Sequence, residues 1–406
     1  EQGELHVLQL ALFFNEMRQM HSNAGIKKRL RRNSITRKRC VDDAAVARNC
    51  LPNDIIASTG RQENRESRHV FGRSDAWEGD IFADSIGMAV RPHIKTHKLP
   101  QVALMQLKAG AVGITCQKIS EAEVFAADGF DDILLCFNLL SPAKIARARV
   151  LAEAGILSTV ADNAETIAAL AKGMAGSAVP LRVLVECDTG MGRCGVQSPQ
   201  QALELARLVA GSAGLVFGGL MTYPKPDAEV QVEAFFSAAR DLIVAELGAC
   251  PVISSGGTPS MAQAALAPCI TEYRAGTYIY NDRSLVERGA CQITDCALTV
   301  LATVVSRPTP DRAVLDAGSK TLSSDLFGLQ GYGMILEHPE ASITGLSEEH
   351  GNVTLHGASP RPKVGDKVRV VPNHSCVVSN LTDRVVFHRS GEVLRHEDVA
   401  ARGCVV

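Results

Sequence analysis

From residue 86 onward, short apolar runs alternate with longer stretches in which apolar residues recur every three or four positions. The runs are GMAV (87–90), VGITC (112–116), DILLCF (132–137), LSTVA (157–161), RVLVEC (182–187), LVFGGLMT (215–222), VISS (252–255) and ITEYRAG (270–276). Stretches such as AETIAALAKGM, QQALELARLVA and VEAFFSAARDLIVAEL lie between them and carry the helical period. Continuous apolar strands separated by helices predict parallel pairing through crossover helices. Eight such units close as a (β/α)8 barrel of the TIM type.

After about residue 290 the pattern switches to short strands with turn residues between them: ALTVLATVV, RAVLDAG, NVTLHG, KVRVVPN, CVVSNL, RVVFHR and EVLRH. That text predicts an all-β C-terminal domain. The expected division is a barrel over residues 85–290 and a β domain over 291–406. Residues 1–84 read as an atypical, partly disordered region. LHVLQLALFFNEM could form one amphipathic helix, 27–39 is a dense basic run, and 50–84 is polar and aperiodic. The basic run is read as a solvated tail in preference to a nucleic-acid arm. LHVLQLALFF lacks a small-residue cleavage pattern and is preceded by Glu1 and Glu4, so it is not read as a signal peptide.

Composition narrows the classes. The net charge of −2 gives no global pull toward nucleic acid, and no apolar stretch reaches membrane-spanning length. The twelve cysteines are scattered without a CxxC pair. Cys116, Cys136, Cys187 and Cys194 lie in or beside apolar runs, which predicts buried, reduced thiols in a cytoplasmic protein.

The chemistry concentrates at the ends of the expected strands, where parallel barrels place their catalytic groups. RPHIKTHK (91–98) follows the first run and puts Lys95 just past its end. A lysine at a low-dielectric barrel mouth suits Schiff-base chemistry. ECDTGMGRCGV (186–196) places Glu186, Asp188 and Arg193 on a glycine-rich turn, with Arg193 suited to a planar anionic ring. SSGGTPS (254–260) and RAGTYIYND (274–282) offer two adjacent glycine turns, one opening a helix, as phosphate cradles do. A phosphorylated cofactor near a lysine follows, and pyridoxal phosphate fits. In PNHSC (372–376), His374 and Cys376 are two apart, which on a strand would put both on one face, within reach of one ion. Imidazole plus thiolate suits zinc, and two ligands leave positions open for a Lewis-acid role.

The motifs RPHIKTHK, CQKISEAE, DTGMGRCGV, SGGTPS, EYRAGTY, EEHG and PNHSC occur in this order over residues 86–406. As a set they resemble the metal-activated, pyridoxal-phosphate-dependent D-threonine aldolase and D-serine dehydratase family, which has the alanine-racemase-like fold, pyridoxal-phosphate fold type III. The resemblance implies that Lys95 carries the cofactor and that Arg193 stands beside its ring. It implies that Gly257, Thr258, Gly276 and Thr277 bind the phosphate, that His374 and Cys376 hold a divalent metal, and that Gln117 and Tyr223 form active-site walls. Zinc is favoured by the thiolate, with manganese or magnesium open. The implied substrate is a small D-amino acid with a β-hydroxyl, and the implied assembly is a head-to-tail homodimer.

Three departures qualify the resemblance. Cys376 stands where the aldolases carry Asp, as in the dehydratases. Tyr223 is followed by Pro224-Lys225-Pro226-Asp227, without the histidine the aldolases have there. VDDAAVARN (41–49) echoes a first barrel strand but is preceded by TRKRC, which predicts a damaged strand and two open sheet edges. CQKISEAE nevertheless looks like the aldolase branch. Retro-aldol cleavage and β-elimination thus both stay open. A racemase would need a second base, usually a tyrosine from a partner's C-terminal domain, and Tyr332 is the only tyrosine after Tyr280. A non-catalytic cofactor-binding protein of this fold usually lacks the β domain. The lyase reading is preferred to both.

Overall fold

The computed structural model describes residues 87–357, 360–389 and 391–406. All eight apolar runs become strands: β1 (Ala89–Val90), β2 (Ile114–Cys116), β3 (Ile133–Leu135), β4 (Leu157–Ala161), β5 (Leu181–Glu186), β6 (Leu215–Met221), β7 (Ile253–Ser255) and β8 (Glu272–Tyr273). They pair in parallel in chain order from β2 to β8, and β8 pairs with β1. The seam from β1 to β2 is closed by bonds from Val112 N to Val90 O (2.9 Å) and Thr115 N to Pro92 O (2.8 Å), and by a parallel bridge between His93 and Thr115. The segment 41–49 lies outside the described residues. The two open edges expected from it are not found among the described strands, because β1 itself fills the place between β8 and β2.

The helices between these strands begin and face as their residues dictate. Proline opens Pro100–Ala109, Pro142–Glu153 and Pro199–Gly211, where its missing N–H costs nothing. Asn163 and Ser198 accept from the backbone of Thr166 and Gln201 at the starts of Ala164–Gly173 and Pro199–Gly211. Glu229–Leu247 buries Val232, Phe236, Ala239 and Ile243, one face of the helix.

The barrel interior is polar where Arg91 enters it. Its Nε donates to Glu272 Oε2 (2.7 Å), and its terminal nitrogens donate to both carboxylate oxygens of Asp132 (2.8 and 3.2 Å). Glu272 also accepts from Ser254 Oγ (2.6 Å), which accepts from Arg274 Nε (2.9 Å). Arg91 and Glu272 are paired with each other, and Arg274 is hydrogen-bonded to neutral groups, which is what lets these charges stay buried.

The C-terminal part holds a six-stranded antiparallel sheet of β9 (Val300–Thr309), β10 (Arg312–Leu315), β11 (Met334–Ile335), β12 (Ser342–Leu346), β13 (Gly351–Thr354) and β14 (Lys367–Val371), in the order β11-β14-β9-β10-β13-β12. Its own core includes Val304, Leu315, Ile343, Val353 and Val370. CVVSNL, expected as a strand, is instead the helix Ser375–Leu381. Asp282 Oδ2 accepts from Ser375 N (3.0 Å) and Ser375 Oγ (3.3 Å), satisfying the first turn. Val378 is buried against the barrel, so tertiary packing overrides the strand preference of the two valines. The hairpin of β15 (Arg384–Arg389) and β16 (Glu392–Asp398) follows. Val378, Val385, Phe387 and Val399 share one apolar cluster with Val90, Leu99 and Tyr278, so the chain returns to the barrel after the sheet.

Ten cysteines are free among the described residues. Cys116, Cys136 and Cys187 are buried as expected, whereas Cys194 is exposed, because it lies on the glycine turn rather than in a strand. No helix among the described residues is long and apolar enough to cross a membrane.

Candidate active site

Lys95 sits in the middle of the 3-10 turn Ile94–Thr96, directly past the end of β1. Burial of Ile94 and Thr96 on either side leaves Lys95 half-buried at the barrel mouth. The turn is pinned by His97 N and Lys98 N, which both donate to Ile94 O (3.1 and 2.8 Å). Gln117 donates its amide to Cys136 O (2.7 Å), so its oxygen must face His93 Nε2, 3.1 Å away. That oxygen can only accept, which places the His93 proton on Nε2 and leaves Nδ1 to accept from Lys95 N (3.4 Å).

The histidines around Lys95 are neutral. Burial, reinforced by the Lys95 charge, drives His93 well below the ordinary imidazole range. Burial likewise takes His97 down to about 3, against the opposing hydrogen bonds of Gln106 and Leu99. The charge of Arg91 is committed to Glu272 and Asp132 inside the barrel. RPHIKTHK therefore does not surround Lys95 with a cationic cluster, contrary to its appearance as text.

Tyr223, past the end of β6, has two basic side chains near its ring. Lys95 Nζ is 5.8 Å and Arg193 Cζ 5.0 Å from its ring centroid. Burial raises the Tyr223 phenol above its ordinary value, opposed by Arg193. Arg193 projects from a turn shaped by Asp188, whose Oδ1 accepts from Gly190 N (2.9 Å) and Gly192 N (3.1 Å). Asp188 is thus the organiser of this turn. Glu186 is buried at the end of β5, where burial and then Asp162 raise its carboxyl.

The two glycine turns meet. Thr258 Oγ1 accepts from Tyr278 N (3.0 Å), joining the loop after β7 to the loop after β8. A Cβ on Gly257 would lie 3.2 Å from Tyr223 Cε2, and one on Gly276 would lie 3.1 Å from Thr96 Oγ1 and 3.2 Å from His93. Both positions need glycine for close approach. Among the described hydrogen bonds none uses the backbone N–H of Gly257, Gly276 or Thr277. Open N–H groups at adjoining turns beside Lys95 fit the phosphate of the expected cofactor.

His374 caps the N-terminus of the helix Ser375–Leu381, and Cys376 lies in its first turn. The pair is therefore brought together at a helix start and not by strand alternation. Cys376 Sγ is 3.2 Å from Thr96 Oγ1 and 3.9 Å from Thr277 Oγ1, which sets it between the lysine turn and the second glycine loop. Burial alone would raise the Cys376 thiol. The hydrogen bond and charge of His374, with Lys95 nearby, bring it below its ordinary value. Burial opposes charge on His374 too, but Cys376 raises it. Phe327 stacks on the His374 ring at 4.3 Å, and Asp325 Oδ2 stands 3.6 Å from His374 Nδ1, a buried nitrogen without a hydrogen-bond partner. With Nδ1 turned toward Asp325, the other imidazole nitrogen and a thiol of lowered pKa make a donor set that fits a divalent metal. No group of three or more His, Cys, Asp and Glu side chains is placed to hold a metal ion among the described residues.

All ten expected site residues line this one region. Sequence reasoning gave no role to Thr96 or Asp282, although both lie inside motifs it singled out, and it did not find Asp325 or Phe327, which come from an irregular loop between the short helix Ser319–Leu322 and β11.

Residues 81–284 match the N-terminal domain of alanine racemases, and residues 297–388 match the putative serine dehydratase domain. The chain is 36% identical over 335 residues to a D-threonine aldolase of Arthrobacter sp, covering 79% of this chain and 87% of that one. It is 32% identical over 379 residues to the 3-hydroxy-D-aspartate aldolase of Paracoccus denitrificans, covering 86% and 96%. The crystal structure of the D-threonine aldolase from Filomicrobium marinum matches with a TM-score of 0.74 at 29% identity, over 82% of this chain and 93% of that one. The D-threo-3-hydroxyaspartate dehydratase from Delftia sp. HT23 matches at 0.71 and 28%, over 80% and 93%. Variants of that dehydratase, with a histidine or a cysteine two positions later changed to alanine, have also been solved, the cysteine variant in the metal-free form. By these matches the chain belongs to the alanine-racemase-fold family that holds the D-threonine aldolases and the D-serine dehydratase-like enzymes.

Proposed function

We propose that this chain is a pyridoxal-phosphate- and divalent-metal-dependent lyase acting on small D-amino acids that carry a β-hydroxyl. The observation that carries the reading is convergence. Lys95, the two glycine turns and the His374–Cys376 pair meet at one barrel mouth, joined by the contact of Thr96 with Cys376.

Lys95 would hold the cofactor through Nζ. The N–H groups of Gly257, Thr258, Gly276 and Thr277 would take its phosphate, and Arg193 and Tyr223 would flank its ring, with Gln117 fixing the wall at His93. Bound pyridoxal phosphate supplies an electron sink for the charge released at the substrate's α-carbon. His374 and Cys376 would hold the metal, zinc being favoured by the thiolate and manganese or magnesium remaining open, and a metal there supplies Lewis acidity at the β-oxygen. Lys95 Nζ would be the amine placed at the barrel mouth to take the α-proton of the substrate. His93 stays neutral and oriented by Gln117, so it adds no cation beside Lys95.

Two outcomes follow from which bond breaks. Retro-aldol cleavage is favoured by the 36% identity to a D-threonine aldolase. β-Elimination is favoured by Cys376 and by the loop after Tyr223, which offers no imidazole and where Asp227 Oδ1 accepts from Gln263 Nε2 (3.1 Å). The spacing of His374 and Cys376 is also that of the two residues altered in the Delftia dehydratase variants. D-Threonine incubated with the protein, pyridoxal phosphate and zinc or manganese decides between them. Glycine with acetaldehyde marks the aldolase, and 2-oxobutanoate with ammonia marks the dehydratase. If D-threonine, D-serine and D-3-hydroxyaspartate all remain unconverted, the lyase reading is wrong.

A head-to-tail homodimer belongs to the same proposal. Phe137 after β3 and Met191 after β5 are 38% and 42% exposed at the barrel mouth, apolar surface that a second copy would cover. The free cysteines suit a reducing compartment such as the cytoplasm.

A further inference from the structure

Lys98 closes the RPHIKTHK motif, and the reaction proposed above does not use it. It is only 4% exposed and has φ of 55°, the left-handed region that costs a residue with a side chain. Its Nζ meets three acceptors: Asn380 Oδ1 at 2.7 Å, Glu121 Oε1 at 3.3 Å and Cys404 O at 3.3 Å. An ammonium has three N–H groups, so its donors are all engaged.

Each acceptor belongs to a different part of the site's support. Asn380 is in the helix Ser375–Leu381, which carries Cys376, and its Oδ1 also accepts from Gly403 N (3.1 Å). Buried Glu121 uses its other oxygen to accept from Gln117 N (2.7 Å) and Lys118 N (3.1 Å). Gln117 in turn holds His93, which holds the backbone of Lys95. Cys404 lies in the segment returning over the barrel, where Ala401 N donates to Lys98 O (3.2 Å).

We propose that Lys98 is the positioning residue that sets the His374–Cys376 pair against Lys95, by clamping the helix Ser375–Leu381 to the lysine turn. The proposal rests on the reading of that pair as metal ligands. The helix has seven residues, too few to be stable alone. Its first turn is anchored by Asp282 and its middle by the packing of Val378 against the barrel. The bond from Lys98 to Asn380 is the polar anchor near the C-terminal end, and it fixes the rotation of the helix that aims Cys376 at the lysine turn.

Asn380→Ala removes the clamp and keeps the buried Lys98–Glu121 pair, so the fold is retained. Three readouts are taken on the full chain loaded with pyridoxal phosphate: the visible cofactor band, zinc affinity by competition with a chromophoric chelator, and hydrogen exchange of a peptide covering 375–381. The expected result is zinc affinity weaker by about tenfold or more, faster exchange in that peptide, and an unchanged cofactor band. Asn380→Asp, which keeps an acceptor for Lys98, should restore zinc affinity to near that of the unaltered protein. Unchanged exchange in Asn380→Ala overturns the clamp. Faster exchange with unchanged zinc affinity overturns its positioning role. An unaltered protein that takes up no zinc at all, while holding cofactor, overturns the metal reading itself and this proposal with it.

Discussion

Thr96 Oγ1 and Cys376 Sγ lie 3.2 Å apart although 280 positions separate them in the chain. The contact joins the residue after Lys95 to the thiol of the His374–Cys376 pair. It ties the first third of the chain to the last, while Arg193, Tyr223 and Gly257 enter the same site from the middle third.

Lys95→Ala should abolish the visible cofactor band on mixing with pyridoxal phosphate and lower lyase turnover by about 10³-fold or more. Thermal melting should stay close to that of the unaltered protein, since Lys95 is only half-buried and its ammonium faces the Tyr223 ring. Retained turnover would sink the assignment of Lys95.

Asp325 stands 3.6 Å from His374 Nδ1 and orients an otherwise unpartnered imidazole. Asp325→Asn should weaken metal affinity by about 10–100-fold, the usual effect of losing a carboxylate behind a ligating histidine. Zinc titration in the presence of a competing chelator measures it, and an unchanged affinity would mean that Phe327 alone holds the ring.

His97 gives a pH dependence with a definite sign. Burial takes it down to about 3 in the folded protein, whereas in the unfolded chain it titrates near an ordinary value of about 6.5. As pH falls the unfolded state takes up its proton first, so stability is lost from about pH 6.5 downward, toward pH 3. One such group costs about 1.4 kcal/mol per pH unit, or about 2 kcal/mol at pH 5. His97→Asn keeps an acceptor for Leu99 N and removes the titration. Urea unfolding at pH 7.5 and pH 5 should show a smaller acid loss in the variant, by about that amount, and equal losses would count against the buried neutral imidazole.

Gly276→Ala places a methyl 3.1 Å from Thr96 Oγ1 and 3.2 Å from His93. Relieving that overlap costs about 1–3 kcal/mol and moves the lysine turn away from the glycine loop. Cofactor affinity should fall about tenfold or more, measured by absorbance titration with pyridoxal phosphate. Full affinity would show that the loop has slack to yield.

The barrel was legible because its strands are buried on both faces and read as unbroken apolar runs, each followed by a helical period. CVVSNL was misread because two adjacent valines carry the strand signal, while the decisive partner, Asp282, comes from another part of the chain. RPHIKTHK was legible as a site and illegible as electrostatics. Arg91 turns into the barrel toward Glu272, Lys95 faces the mouth and Lys98 faces Asn380, three environments within eight residues. The chain leaves a strand and enters a 3-10 turn there, so no single period relates the three side chains. Asp325 and Phe327 left no trace because the loop that brings them to His374 has no periodicity; Ser323 and Phe327 both adopt positive φ in it.

The return of the chain to the barrel has a consequence for how the molecule is made. Val378, Phe387 and Val399 complete an apolar cluster that begins at Met88, and Ala401 completes the one that holds Ile94. On a ribosome the segments are produced in order, so the barrel waits, with part of its interior unsealed, while the whole six-stranded sheet is synthesised. The lysine turn therefore meets Cys376 and its last apolar neighbours only after the C-terminal segment has emerged, and a nascent chain holding the barrel alone would expose apolar surface of the kind chaperones bind.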